Sequence, residues 1–483
     1  MFNKSLEGLE PKRVFELFDE LCQIPHGSNN EKAISDYVRD FAIGLGLDTY
    51  QDKVNNLIIR KDATPGYEDL PIVVLEAHLD MVCQKTPESS HDFEKDPIEV
   101  VVDGDDIHAK DTTLGADDGT GVAFAMCVME SKTLKHPALE IVLTVNEEAG
   151  MTGIRNLEFD RLKGRVILNL DCSDEGIVVG CAGTSTYDVK LPVSYSENDA
   201  FDAFCKVSVS GLIGGHSGLM ATHCGANANA IVARFLSEVP VDYALVSYEG
   251  GLVDNAITRE SEAVIALSSK DREKLSEFAS FYQKKLRNEY VAKDEGITIE
   301  VSDAEKGRML DEVSTRKAAA IINVSPNGLI RMSKDVEGLA ELSANIGYVR
   351  LEEGFLDIHF MARARYGSGK SFYRSRIRQL AWIFGAGFEI LSDAPEWEYK
   401  PDSRLSRLIN RIFNEEYGRD ILVEISHGGN ECGAFFQAFP DADIVCSGTK
   451  ITGAHTTEET VKVSTVQKEW KMLCRTLEGM KDY

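Results

Sequence analysis

The chain has no uninterrupted apolar stretch approaching the roughly 18 residues that a membrane-spanning helix needs. Its first residues, MFNKSLEGLEPKRVFELFDEL, contain no apolar signal core, so the protein is expected to stay in the cytoplasm. Basic residues are in short supply. Against 79 Asp and Glu stand 52 Lys and Arg, and the net charge of −27 argues against nucleic acid or an anionic membrane as a partner. Part of that charge serves solubility. No CxxC occurs among the ten cysteines, which in a long chain without an export signal read as small buried hydrophobes and not as disulfides. At 483 residues the chain exceeds one typical core, and two domains are expected.

What the chain does have is a succession of metal-seeking side chains. They are His78 and Asp80 in HLD, Asp117 in GADDG, Glu147 and Glu148 in NEEAG, Asp171 in LNLD, and His455 in GAHTTEE. Three of these clusters follow apolar runs that read as buried strands: PIVVLEA, ALEIVLTV and RVILNL. Strand ends in open α/β sheets are where sites form. Two zinc ions about 3.5 to 4 Å apart need a bridging carboxylate, a His and a carboxylate for each ion, and open positions for water and substrate. His78, Asp117, Glu148, Asp171 and His455 supply that inventory without remainder. An unligated carboxylate is needed to take the proton from water, and Glu147 is the candidate. Asp80, two residues from His78, is expected to hold the far imidazole nitrogen with its carboxylate. Each motif alone has a plainer reading. HxD is also a common polar pair, EE a solvated acidic turn, and GADDG a turn and N-cap before the apolar helix GVAFAMCVME.

The order HLD, GADDG, NEEAG, NLD, GGHSG, HGGNECG, GAHTTEE resembles the zinc peptidase family that includes acetylornithine deacetylase, glutamate carboxypeptidase and the cytosolic dipeptidases. Within it, LNLD, GGHSG and HGGNECG most resemble the aminoacyl-histidine dipeptidases, the Xaa-His or peptidase D type. The likeness covers essentially the whole chain. It implies that Asp117 bridges two zinc ions, that His78 and Asp171 complete one and Glu148 and His455 the other, and that Glu147 is the general base for a bridging hydroxide. It also implies a cis bond between Asp117 and Asp118. The expected activity is hydrolysis of dipeptides with a free amino terminus. A preference for Xaa-His comes from the resemblance alone, and cobalt or manganese could replace zinc at such ligands.

The expected fold class is α/β. Helices over 9–24 and around 34–45 are followed by alternating strands and helices to about residue 185. Longer alternating strands, TYDVKLPVSY and FCKVSVSGL, come next, and a mixed α/β pattern resumes near 388 with FEILSDA and a helix around SRLSRLINRIFNEEY. His455 is remote in sequence from the other ligands. A discontinuous catalytic domain, a mixed sheet flanked by helices in 1–185 and 388–483, is therefore expected, with an α+β lid inserted over 186–387. A faint repeat of strand, turn and helix, starting at DNAITRES and at SANIGYVR, suggests two similar halves in the lid. By resemblance these halves imitate an interface that relatives make between subunits, and a homodimer stays open.

The lid holds the remaining candidates. His216 in GLIGGHSG could donate to the oxyanion of a tetrahedral intermediate. Asn255 in DNAI and Arg363 in FMARARYGSG match family positions that hold substrate, Arg363 by pairing with the C-terminal carboxylate, with Arg365 as its rival. Glu431 in HGGNECG is a candidate substrate contact. His427 and Cys432 offer a competing thiolate and base. His26, His91, His136, His223 and His359 have no metal spacing and read as structural or exposed. Alternatives to the dipeptidase are an N-acyl amino acid deacylase on the same fold and a peptide- or metal-binding protein without turnover.

Overall fold

The computed structural model describes residues 6–172, 176–196, 201–218, 220–223, 225–334 and 336–483. The chain forms two compact units. One comprises residues 1–181, 398–426 and 430–483, and the other residues 182–397 and 427–429.

The first unit is built on an eight-stranded mixed sheet. At its centre Val73–His78 pairs in parallel with Leu139–Thr144 on one side and Val166–Asn169 on the other, and every residue of these strands is buried. Strands covered on both faces read as continuous apolar runs, and that is how VVLEAH, LEIVLT and VILN appear in the sequence. Helices Lys12–Cys22, Lys32–Gly44, Ala116–Glu130, Arg404–Tyr417 and Val463–Gly479 supply the rest of one large core, which includes Leu17, Val38, Phe124, Ile412 and Leu477. Ala116–Glu130 is buried around nearly its whole circumference and starts after Gly115, whose φ of 74° is the left-handed conformation that glycine tolerates best. His78 ends the central strand, and residues 146–148 and 171 follow directly on its two neighbours, so the ligand candidates gather beyond the carboxyl ends of the strands.

The second unit carries a nine-stranded sheet. Gly183–Pro192, Ala340–Glu352 and Phe355–Ala364 are among its longest strands, and they pair antiparallel. One face of these strands, with Tyr187, Val189, Leu191, Ile358 and Phe360, packs into a core with helices Ala228–Glu238, Arg272–Glu289, Glu312–Val324 and Gly367–Phe384. The opposite face is more polar and bears Asp188, Asp357, His359 and Arg363. The two segments of the faint repeat each contain strand followed by long helix, Ser261–Leu267 then Arg272–Glu289, and Phe355–Ala364 then Gly367–Phe384. At the middle of the sheet, Tyr243–Gly250 and Ala340–Glu352 pair through only two residues each.

The return to the first unit differs from the sequence expectation. FEILSDA, assigned to the second catalytic part from residue 388, forms the strand Gly387–Ala394, which pairs with Gly183–Pro192 and belongs to the second unit. It is an edge strand with five of its eight residues exposed, so its pattern carries no sign of which sheet it joins. Nine cysteines lie among the described residues, and seven of them are buried.

Candidate metal centre

His78 is 1% exposed, with its Nδ1 3.0 Å from the Asp80 carbonyl oxygen. A carbonyl only accepts, so Nδ1 carries the hydrogen and Nε2 is turned to the site. Nε2 lies 3.2 Å from Asp117 Oδ1 and 3.8 Å from Asp171 Oδ1. On the other side of Asp117, Oδ2 is 3.5 Å from His455 Nε2, which is 2.8 Å from Glu148 Oε1. Two groups of potential ligands thus share Asp117: His78, Asp117 and Asp171, and Asp117, Glu148 and His455. His78, Glu147 and Glu148 form a third such group.

The electrostatics follow from packing so many carboxylates together. Burial works against the His78 imidazolium, yet hydrogen bonding to Asp117 and Asp80 raises its pKa well above the usual histidine range. Hydrogen bonds to Asp117 and Glu148 push His455 up to about 10. Burial alone would raise Asp117, but its bonds to His455 and His78 outweigh that and hold it low. Asp171, deeply buried and close to Asp117, is pushed well up. Burial also lifts Glu147, to about 8, with His78 opposing and Glu148 and Asp117 adding to the rise. A donor set of two imidazole nitrogens and three carboxylates, in which His78 and His455 hold protons against the acids, is one that a pair of divalent cations fits, because the cations take the protons' place between the same atoms.

Backbone geometry aims these groups. The Asp117–Asp118 peptide bond is cis, and His455 adopts φ 65°, a conformation uncommon outside glycine and frequent at functional sites. Asp118 takes the capping part of GADDG: its Oδ1 accepts from Gly121 N at 3.2 Å, and its Oδ2 accepts from His78 N at 3.3 Å. GADDG thus supplies a cap at Asp118 and, at Asp117, a carboxylate between two histidines.

Asp80 meets His78 with two groups: its carbonyl oxygen is 3.0 Å from Nδ1, and its carboxylate Oδ1 is 3.5 Å from the same nitrogen. That carboxylate also accepts from Glu147 N at 2.9 Å, Glu148 N at 3.2 Å and Ser28 Oγ at 2.7 Å, so it ties the NEEAG turn to His78. Glu431 departs from expectation. It is 1% exposed, its Oε2 accepts from Thr144 Oγ1 at 2.7 Å, and it faces the buried Glu76, a setting that offers no open substrate contact. Glu459 went unnoticed in the sequence. Its carboxylate accepts from the backbone N–H groups of Leu114, Gly115, Ala116 and Asp117 at 2.8, 3.1, 2.8 and 3.4 Å and thereby cradles the loop that presents Asp117. Its only trace in the sequence is the second Glu of HTTEE.

In the second unit, Arg363 is 5% exposed and makes contact with Ser217 Oγ at 3.3 Å and His216 Nε2 at 3.2 Å. It meets no carboxylate among the described residues, and burial lowers its pKa to about 10. Arg365, its rival, donates to Ser333 Oγ at 3.1 Å and lies over the Tyr366 ring. Asn255 is exposed, and its carbonyl oxygen accepts from Ser217 N at 2.8 Å beside the short ribbon that pairs His216 with Ala256. His427 binds Ser343 Oγ through Nε2 at 2.8 Å. Cys432 is fully buried and its thiol is pushed up to about 12, the opposite of what a thiolate nucleophile requires.

Known proteins are similar to this chain over nearly their whole length. The chain is 35% identical to the cytosol non-specific dipeptidase of Escherichia coli (strain K12), with 98% of each covered. The crystal structure of aminoacylhistidine dipeptidase from Vibrio alginolyticus matches with a TM-score of 0.89 at 35% identity, covering 98% of this chain and 97% of that one. Human carnosine dipeptidase 1, at 13% identity and a TM-score of 0.54 over 99% of this chain and 98% of its own, shares the fold. The family model of peptidase family M20/M25/M40 matches residues 74–479, and the chain belongs to that family.

Proposed function

We propose that the protein is a cytoplasmic zinc dipeptidase that hydrolyses dipeptides with a free amino terminus, Xaa-His dipeptides among them. The observation that carries this reading is Asp117 between two histidines, with Oδ1 3.2 Å from His78 Nε2 and Oδ2 3.5 Å from His455 Nε2. Zinc ions held by His78, Asp117, Asp171, Glu148 and His455 would supply Lewis acidity toward the scissile carbonyl and lower the pKa of water. The chain's own groups do the rest. Glu147 takes the proton from the attacking water and delivers it to the leaving amine; its raised pKa suits both steps. Asp80 keeps Glu147 and Glu148 in place through their backbone N–H groups. Arg363, buried without an acid, pairs with the substrate's C-terminal carboxylate, and His216 and Asn255 hold the substrate beside it.

The direct test is to strip the protein with a chelator, restore zinc, and assay unblocked dipeptides beside the same peptides with acylated amino termini. Zinc-dependent cleavage of the unblocked set alone is expected; cleavage of only the acylated set would make the enzyme a deacylase. Glu147→Gln should keep its metal while kcat falls by about 10²- to 10⁴-fold, the usual worth of a general base. Near wild-type turnover in that variant would remove Glu147 from the role. Glu459→Gln, which loses charge under the 114–117 loop, should weaken zinc affinity by roughly 10- to 100-fold, as changes behind a ligand do, measured by competition with a chromophoric chelator. Unchanged affinity would leave Glu459 a purely local cap.

A further inference from the structure

The second unit contains another group of metal-seeking side chains, and the proposed reaction does not use it. Asp188 lies on Gly183–Pro192, and Asp357 and His359 lie on Phe355–Ala364. The antiparallel register sets His359 opposite Asp188 and Asp357 opposite Lys190, which puts all four on the sheet face turned away from the helices. One ligand atom from each of Asp188, Asp357 and His359 lies within 4.8 Å of the other two.

Three features separate this group from an ordinary acidic patch. Asp188 is 4% exposed, and its Oδ1 is buried with no hydrogen-bond partner among the described residues; Asp357 Oδ1 is in the same position. Lys190 Nζ, 2.9 Å from Asp188 Oδ2, engages the other oxygen and leaves Oδ1 unmet. His359 is held for ligation: Nδ1 donates to Asp254 Oδ1 at 3.1 Å, the Tyr348 ring packs 4.9 Å from its own, and Nε2 is directed to Asp357 Oδ1 at 3.8 Å. A carboxylate behind the imidazole and carboxylates in front of it is the arrangement that orients histidine ligands. Burial and the neighbouring Asp188 push Asp357 up to about 6, so a proton can lie between the two acids. A proton shared between the two oxygens leaves the imidazole nitrogen out. A cation engages both oxygens and the imidazole nitrogen at once.

We propose that Asp188, Asp357 and His359 bind one zinc-class divalent cation, a structural site in addition to the Asp117 centre. One nitrogen and two carboxylate oxygens, with Asp188 buried and Asp357 and His359 half-buried, match zinc chemistry, with solvent completing the coordination. The ion clamps two neighbouring strands. Through the His359–Asp254 bond it also steadies the turn that leads into Asn255 and the ribbon pairing His216 with Ala256. The site stands independently of the reaction assigned to the Asp117 centre.

The test counts zinc per chain by mass spectrometry of metals in the full-length protein, saturated with zinc and freed of excess, for wild type, Asp188→Asn/Asp357→Asn and His359→Gln. Each variant should hold one zinc fewer than wild type, and zinc should raise the melting temperature of each less than it raises that of wild type. Equal counts in wild type and both variants would overturn the proposal. If the double variant fails to fold, His359→Gln, which keeps both carboxylates, decides alone. The readout is a difference between proteins that share the Asp117 centre, so an error about that centre changes every total equally and leaves the difference intact.

Discussion

The structure is organised around an electrostatic problem: carboxylates crowd beyond the ends of three buried strands, and each must be neutralised by something. The strands explain the crowding, because parallel neighbours deliver residues 78, 147–148 and 171 to one place. The carboxylates then divide by what answers their charge. Asp80, Asp118 and Glu459 are met by backbone N–H groups and serve to aim the loops. Glu76 and Glu431 lie together in the interior beside Asn169 and Thr144. Among the described residues, Asp117, Asp171 and Glu148 are left with His78 and His455. Two histidines cannot balance that charge and also remain neutral ligands, and a metal pair resolves the conflict.

The second unit presents the inverse. Arg363 is a buried cation whose contacts are a hydroxyl and an imidazole, and a buried unpaired charge is costly unless a ligand pairs with it. Neither Cys432 nor His427 has the protonation that a thiolate and its base require. The cysteine is buried with its thiol strongly protonated, and the histidine is lowered to about 4 by burial and by Arg363.

The parts legible in the sequence were those with a periodic or terminal signature. Apolar runs marked VVLEAH, LEIVLT and VILN as strands, and polar residues immediately after them marked the place of the site. His455, remote in sequence, meets Asp117 as its motif order implied. The parts that were not legible are set by backbone contacts. Nothing in HLD shows that the Asp80 carbonyl shares the imidazole nitrogen with its carboxylate, or that the same carboxylate binds residues 147 and 148. Glu459 receives four N–H groups from a loop more than 340 positions away, a relation that no local spacing encodes. Asp188 and His359 meet only through strand register, so His359 read as an ordinary histidine. The edge strand Gly387–Ala394 has too little buried surface to announce its sheet.

The central claim is that Asp117 bridges two metal ions, and anomalous X-ray scattering at the zinc edge from crystals of the zinc-loaded protein tests it most directly. The account predicts two peaks about 3.5 to 4 Å apart, one on each side of the Asp117 carboxylate. A single peak there, or zinc that avoids Asp117, would contradict it.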